Sequence, residues 1–368
     1  MQKKRALIIA YNDLNNSGVP NVIFQIVSSL NELYDFDIIT FGDDKYYFDK
    51  LQTKGILAGL IRFKAKTKGG KSTGIIYHLF SYPKLMYKQA LELMKHRQYD
   101  VLHSFKENYS WPFLKAAKKC GIQNRIIHSN IDNTRNGSLA FKVLNTFNKI
   151  KTLKYATHFV GVSKRCCENS YGNKNYIVLH NTYDENRFNL NLKFDGDRNR
   201  LTLVQIGTLN SNKNQLFSLK IASILKQKMI DFSLTLIGKE TEKGYQHKLN
   251  DFISENMLDQ NVEVINNAVD ITNAYKKSKY VLIPSKTEGA SIVAIEAQAC
   301  GMTVFASTGV PPDMNLGGMV FLDKKKTPQD WAELILDSNK HEYSRKQYDT
   351  RDFSRSEFKN KLLKLYNS

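Results

Sequence analysis

The chain has 368 residues, 42% of them hydrophobic and 24% charged, and no run of about 18 apolar residues. That excludes a disordered chain and a helical membrane spanner, and the length predicts two domains. The formal charge is +19, from 54 Lys/Arg against 35 Asp/Glu, which predicts an anionic partner.

The opening "MQKKRALIIAYND" has too short an apolar run for a signal-peptide core, so "ALIIAY" reads as a first strand and the expected compartment is the cytoplasm. "VPNVIFQIVSSLNEL" has apolar residues at helical spacing, and "FDIITF" is a strand. Then follow a helix "YPKLMYKQALELMKHR", a strand "YDVLHSF", a helix around Phe113–Lys119, a strand "RIIHSN", a helix around Leu139–Tyr155 and a strand "HFVGVS". This alternation, with Val- and Ile-rich strands, predicts a parallel sheet covered on both faces. From Lys45 to Arg97 there are 12 Lys/Arg and 2 Asp/Glu, interleaved with Tyr46, Tyr47, Phe48, Leu57, Leu60, Ile61, Phe63, Tyr77, Leu79 and Phe80. That mixture fits contact with a membrane surface better than with nucleic acid, although a solvated lysine-rich face has the same composition.

The polar, turn-rich stretch Asn181–Arg200 reads as a linker. A second alternation restarts at "LTLVQIG" and runs through a helix at Gln215–Lys228, "FSLTLIG", a helix at Tyr245–Asn256, "VEVIN", a short helix at Ile271–Ser278, "YVLIPS", a helix after Glu288 and "TVFAS". The tail "SRSEFKNKLLKLYNS" reads as an amphipathic helix. The expected domains are 1–182, 183–350 and a C-terminal helix at 351–368 packing back on the first. The four cysteines, Cys120, Cys166, Cys167 and Cys300, form no CxxC pair and no metal pattern with histidine.

Ligands of open parallel sheets bind beyond the C-terminal ends of strands, so residues there are the candidates. Gly18 stands where the first loop becomes a helix, a place that admits a phosphate or serves as an ordinary turn. After "YVLIPS" comes "KTEGASIVAIEAQACG". A helix starting near Ser291 and ending at Gly301 leaves the N–H groups of Ser291, Ile292 and Val293 without intrahelical partners and receptive to an anion. Glu288 precedes that start, and Glu296 lies roughly 7.5 Å along the axis from Ser291. Two carboxylates flanking an anion site suit a diphosphate with hydroxyls at each end; equally, one could be a helix-terminal charge and the other a surface residue. His103 and His128 end two strands, positions common for structural histidines.

The stretch "EGASIVAIEAQACGMTVFAS" resembles the Glu-x7-Glu signature of retaining GT-B glycosyltransferases of family 4, and the resemblance extends over almost the whole chain. It implies an α/β, GT-B fold: two doubly wound, parallel-sheet, Rossmann-like domains facing an interdomain cleft, the first binding acceptor and the second the nucleotide sugar. It places Glu288 beside the donor sugar, Gly289, Ala290 and Ser291 on the sugar hydroxyls, Ile292 and Val293 on the diphosphate and Glu296 on the ribose. "NSGVPNVIFQIVSSL" is similar to the N-terminal glycine loop around Gly18, and "HFVGVS…IVLHNTYDENRF" to a segment covering Val162, Ser163, Asn181 and Phe188. "LVQIGTLNSNKNQ" resembles the phosphate segment, implying Gly207, Thr208 and Lys213 at the donor phosphates. The family often has Arg at the position of Thr208, and Asn-Gly at Asn181–Thr182. The resemblance also favours His128 as the catalytic-cleft histidine.

The implied reaction moves a hexose or N-acetylhexosamine from a nucleoside-diphosphate sugar, a UDP-sugar by preference, to a saccharide acceptor with retention. His128, Glu288 and Lys213 are the catalytic candidates, and no cofactor or metal is expected. The sequence further resembles bacterial capsule, exopolysaccharide and lipopolysaccharide enzymes. That implies an undecaprenyl-diphosphate-linked acceptor and peripheral docking on the inner face of the plasma membrane, with no nucleic acid. Two other readings stay open: a nucleotide-sugar epimerase-like enzyme on the same fold, and a non-catalytic basic binding protein.

Overall fold

The computed structural model describes residues 2–12, 14–15, 18–63, 81–130, 138–266 and 270–368. The chain divides into two compact units, residues 1–181 with 355–368, and residues 182–354. The following elements are those of the described residues.

The first unit opens with β1 (Lys4–Ile9), α1 (Gly18–Leu30), β2 (Tyr34–Thr40), α2 (Tyr46–Thr53) and β3 (Ala58–Arg62). It continues with α3 (Tyr82–His96), β4 (Val101–Ser104), a 3-10 turn (Glu107–Ser110), α4 (Trp111–Lys119), β5 (Asn124–Ser129) and α5 (Leu139–Tyr155). β6 (His158–Gly161), α6 (Lys164–Tyr171) and β7 (Ile177–Val178) complete the series. The strands form one parallel sheet in the order β3-β2-β1-β4-β5-β6-β7. Alternate residues of β1 show why the strand is apolar throughout. Ala6 and Ile8 enter a core with α1 and α2, whereas Leu7 and Ile9 enter a second core with α3 and α4.

The second unit runs β8 (Leu201–Ile206), α7 (Gln215–Gln227), β9 (Phe232–Ile237), α8 (Tyr245–Glu255), β10 (Val262–Ile265) and α9 (Ile271–Lys277). Then come β11 (Tyr280–Ile283), α10 (Ile292–Ala299), β12 (Thr303–Ser307), β13 (Met319–Leu322) and α11 (Pro328–Asn339). Its parallel sheet has the order β10-β9-β8-β11-β12-β13. The last helix, α12 (Arg355–Tyr366), belongs to the first unit, where Phe358, Leu362, Leu365 and Tyr366 join the α1 side of the core. Each fully buried large side chain of this kind contributes about 1.5–3 kcal/mol.

α2, β3, α6, β7, β13 and α11 are elements that hydrophobic periodicity leaves unmarked. α2 lies in the basic block, and its Tyr47, Phe48 and Leu51 are core residues, as is Phe63 after β3. Those aromatics are therefore not available to a membrane surface; Tyr77, Leu79 and Phe80 lie outside the described residues. The charge divides with the units. The first carries 32 Lys/Arg against 13 Asp/Glu, the whole +19, and the second 22 against 22.

Candidate active site

In each sheet the strand order reverses once, between β1 and β4 and between β8 and β11, and such points open a crevice beyond the strand ends. In the second unit, two loops meet there. The loop after β8 folds around Asn210, whose Oδ1 accepts from the N–H groups of Asn212 (3.1 Å) and Lys213 (2.9 Å). Its amide nitrogen donates to the Thr208 and Thr241 hydroxyls, both at 2.9 Å. Asn212 stitches this loop to the one after β11, donating to the Thr287 carbonyl at 3.0 Å while its own carbonyl accepts from Lys286 N–H at 2.8 Å. Beneath, buried Gln205 donates to the Lys213 carbonyl at 2.8 Å. A side chain at Gly238 would lie 1.9 Å from the Gly207 carbonyl oxygen, so only glycine lets these two strand ends approach.

This framework brings Lys213 Nζ within 2.5 Å of Glu288 Oε1. Glu288 is buried and Lys213 partly so, and the Glu288 N–H donates to the Gly309 carbonyl at 3.0 Å. Gly309 has no space for a side chain, because a Cβ there would lie 2.3 Å from the Ser285 carbonyl oxygen. α10 begins at Ile292, with Ser291 as an N-cap whose side chain makes no capping hydrogen bond. The Ile292 and Val293 N–H groups therefore have no intrahelical acceptor and present the positive end of the helix at the β11 strand end. Gly289 and Ala290 form the turn between Glu288 and the cap.

Glu296 is buried, not a surface residue. Tyr275 donates to its Oε2 at 3.4 Å. Burial pushes the Glu296 carboxyl up to about 8, opposed by the Tyr275 hydrogen bond and the positive charge of Arg187. A buried carboxyl with one long protein hydrogen bond is a group that retains acceptor capacity for a ligand hydroxyl.

In the first unit, His128 and His103 are buried side by side on β5 and β4, their rings stacked 5.3 Å apart and flanked by Phe105. Tyr366 Oη of α12 lies 3.0 Å from His103 Nδ1, and His103 Nε2 lies 3.2 Å from His128 Nδ1. His128 Nε2 has no hydrogen-bond partner among the described residues. If Tyr366 donates, His103 carries its proton on Nε2 and donates to His128, whose proton then sits on Nε2; one N–H is left over. The reverse order leaves two unmet groups, the Tyr366 hydroxyl proton and the His128 lone pair. A buried unmet group costs about 1–3 kcal/mol, so the network assigns Tyr366→His103→His128 with His128 Nε2 as a donor. Burial pushes the His128 imidazole down to about 3, and burial followed by the nearby His128 holds His103 well below the usual range. Both rings are therefore neutral at physiological pH.

Lys106 stands at the reversal point of this sheet, donating to the Tyr11 carbonyl with its ammonium 3.8 Å from the Phe41 ring centre. Burial lowers it to about 8. Gly18 opens α1 with nothing within 4 Å of the place a side chain would take.

Residues 189–352 match the family described as Glycosyl transferases group 1. The match holds every predicted donor-site residue from Gly207 to Glu296. The second unit is thus similar to a group 1 glycosyltransferase domain, and the fold is GT-B. The chain is similar to the capsular polysaccharide biosynthesis glycosyltransferase CapH of Staphylococcus aureus, 27% identical over 304 residues that cover 81% of this chain and 79% of that one. Among solved structures, Anabaena Alr3699/HepE in complex with UDP and glucose superposes with a TM-score of 0.75 at 14% identity, covering both chains completely. A glycosyltransferase from Rickettsia africae superposes at 0.73 with 17% identity, covering 100% of this chain and 98% of that one.

Within this GT-B chain the structure brings Gly207, Thr208, Lys213, Glu288, Gly289, Ala290, Ser291, Ile292, Val293 and Glu296 to the two loops and the helix that meet at the β8/β11 reversal. Gly18 and His128 lie in the other unit. Thr208 is exposed, and its hydroxyl serves the Asn210 turn. Asn210, Asn212, Gly238 and Gly309 carry no motif of their own, and their part follows from backbone contacts far apart in sequence. His103 and Tyr366 are 263 residues apart, so their link is invisible before folding. Among the described residues no helix is long and apolar enough to cross a membrane.

Proposed function

We propose that this chain is a retaining glycosyltransferase. It moves a hexose or N-acetylhexosamine from a nucleoside-diphosphate sugar, UDP being the favoured nucleotide, to a lipid-linked saccharide acceptor in bacterial surface polysaccharide synthesis. The observation that carries this reading is the Lys213–Glu288 pair seated at the open N-terminus of α10, with buried Glu296 one turn further along. The family match, the similarity to CapH and the fold shared with a UDP-bound structure support it.

Departure of the diphosphate develops negative charge. Lys213 and the Ile292 and Val293 amides are preorganised donors for that charge, and such donors are each worth about 10²–10³ in rate. Without ligand, Lys213 is held by Glu288. A bound diphosphate competes for the ammonium and releases the Glu288 carboxylate to accept from a sugar hydroxyl. Glu296 accepts from the ribose hydroxyls. His128, neutral with its proton on Nε2, orients a hydroxyl oxygen as a donor and is not the general base. With no enzymic nucleophile called for, the acceptor attacks on the face the diphosphate leaves, and the leaving phosphate oxygen takes its proton.

A donor panel tests this. UDP-, GDP-, ADP- and dTDP-sugars are mixed with the protein and followed by thermal shift and nucleoside-diphosphate release, beside Glu296→Ala. Stabilisation and release with one donor, lost in the variant, is the expected result. A folded protein that answers to no donor, with or without a lipid-linked acceptor, overturns the reading; conversion of a donor to its isomer without transfer shows an epimerase.

A further inference from the structure

α5 carries apolar side chains on two faces: Leu144 is buried and Leu153 packs on the core with α3 and α4, while a second apolar set faces outward. Its inward face carries polar side chains in defined hydrogen bonds: Asn145 Oδ1 accepts from Asn108 at 2.8 Å, Asn148 Oδ1 accepts from the Trp111 indole N–H at 2.9 Å, and the Thr152 hydroxyl donates to the Asn108 carbonyl at 2.8 Å. The helix is thereby fastened to the 3-10 turn and α4. Its outward face carries Leu139, Val143, Phe147 and Ile150, exposed by 79, 62, 40 and 63%. At about 100° per residue these four fall within roughly 80° of arc, a single stripe. A surface helix ordinarily keeps its outward face polar, and a contiguous exposed apolar stripe marks a contact surface.

Charge identifies the occupant. α5 contains Lys142, Lys149, Lys151 and Lys154 and no acidic residue. Lys142 flanks the stripe on one side, next to Lys149, whose ammonium donates to the Asn169 carbonyl at 2.9 Å, and Lys151 flanks it on the other, its ammonium 4.0 Å from the Phe147 ring centre; Lys154 closes the C-terminal end. The neighbouring α4 adds Lys115, Lys118 and Lys119, also without an acidic residue. An apolar stripe rimmed by lysines fits the boundary between acyl chains and anionic headgroups, where the ammonium groups reach outward as the stripe enters. A protein partner would need an apolar groove with an acidic rim; a second copy of this unit, at +19, would bring lysine against lysine.

We infer that α5 docks the first unit on an anionic lipid bilayer, with Leu139, Val143, Phe147 and Ile150 entering the headgroup layer. The inference rests on this surface and not on the donor chemistry, so each can fail alone.

The test is co-sedimentation of the full chain with vesicles of phosphatidylglycerol and phosphatidylcholine, against phosphatidylcholine alone, at low and physiological salt. The wild-type chain is expected to pellet with the anionic vesicles, with partitioning that weakens as salt rises. Lys142→Gln and Lys154→Gln are each expected to lower the partition coefficient about fivefold. Leu139→Ser/Val143→Ser/Phe147→Ser/Ile150→Ser is expected to abolish it. These side chains point outward, so the variants fold; circular dichroism and an unchanged thermal shift with the nucleotide donor confirm it and keep the two readings apart. In Phe147→Trp, tryptophan emission shifts to the blue on adding vesicles if the stripe inserts. The inference is overturned if the wild-type chain ignores anionic vesicles at low salt, or if the serine variant pellets as well as wild type. It is equally overturned if the stripe instead holds a dimer, seen by light scattering, that the serine variant dissolves.

Discussion

The two units are built on the same plan and use charge in opposite ways. Each is a parallel sheet with one reversal of strand order. The first holds all the net charge, yet burial keeps the two histidines at its strand ends, His103 and His128, neutral, and lowers Lys106 beside them to about 8, still largely protonated near pH 7. The second has no net charge, yet its strand ends set the Lys213–Glu288 ion pair at a helix N-terminus. Net charge is thus a property of the surface and acts on partners at a distance. The charge that acts on a reacting group is local and set by a few residues. Counting lysines therefore does not locate the chemistry.

The largest effect should come from the second unit. Lys213→Ala is expected to lower kcat/KM about 10²–10³-fold, the effect of removing one preorganised donor from a developing anion. A steady-state assay over donor concentrations below and above KM checks it, and a loss of less than threefold would mean that the chemistry does not depend on the Lys213 ammonium.

A second effect concerns stability. A carboxyl raised from 4.5 to about 8 by folding favours the fold in its protonated form. That contribution is complete below the unfolded value and is lost as pH rises through about 8. Glu296→Gln removes the dependence. The variant should match wild type near pH 4 and exceed it at pH 8.5 by up to roughly 10–20 °C in Tm, the shift that on the order of 5 kcal/mol gives in a domain of this size. Parallel melting curves of the two proteins across that range would defeat the assignment of a buried, reluctant carboxylate.

The smallest effect belongs to the first unit. Tyr366→Phe leaves the core packing in place but removes the donor that sets the histidine tautomers. Activity should fall about tenfold, equivalent to about 1.4 kcal/mol. Nitrogen-15 spectra of the histidine side chains should show the His128 proton leaving Nε2 as an exclusive site. An unchanged spectrum would show that the tyrosine only packs.

Hydrophobic periodicity carried much of the architecture, because a strand buried on both faces is apolar along its whole length and a covering helix repeats at 3.6. It was silent at α2, where "YYFDKLQT" mixes charge with aromatics, and at the two-residue β7, too short to have a period. α5 was legible as a helix, but its exposed apolar stripe was not, since apolar residues on two faces blur the repeat and do not say which face is covered. For the candidate donor site, the positions next to strand ends stood out as sequence. The Asn210 turn, the glycines at 238 and 309 and the Tyr366–His103 link depend on contacts between distant segments, so no local pattern announces them.

α12 adds a temporal consequence. Four of its side chains complete the core of the first unit, and Tyr366 sets the direction of the histidine pair, yet this helix follows residues 182–354 in the chain. During synthesis the first unit emerges early but waits, with the α1 side of its core uncapped, until the entire second unit has left the ribosome. The intervening unit can fold by itself in that interval, since its elements are contiguous. The order of completion is thus the reverse of the order of translation.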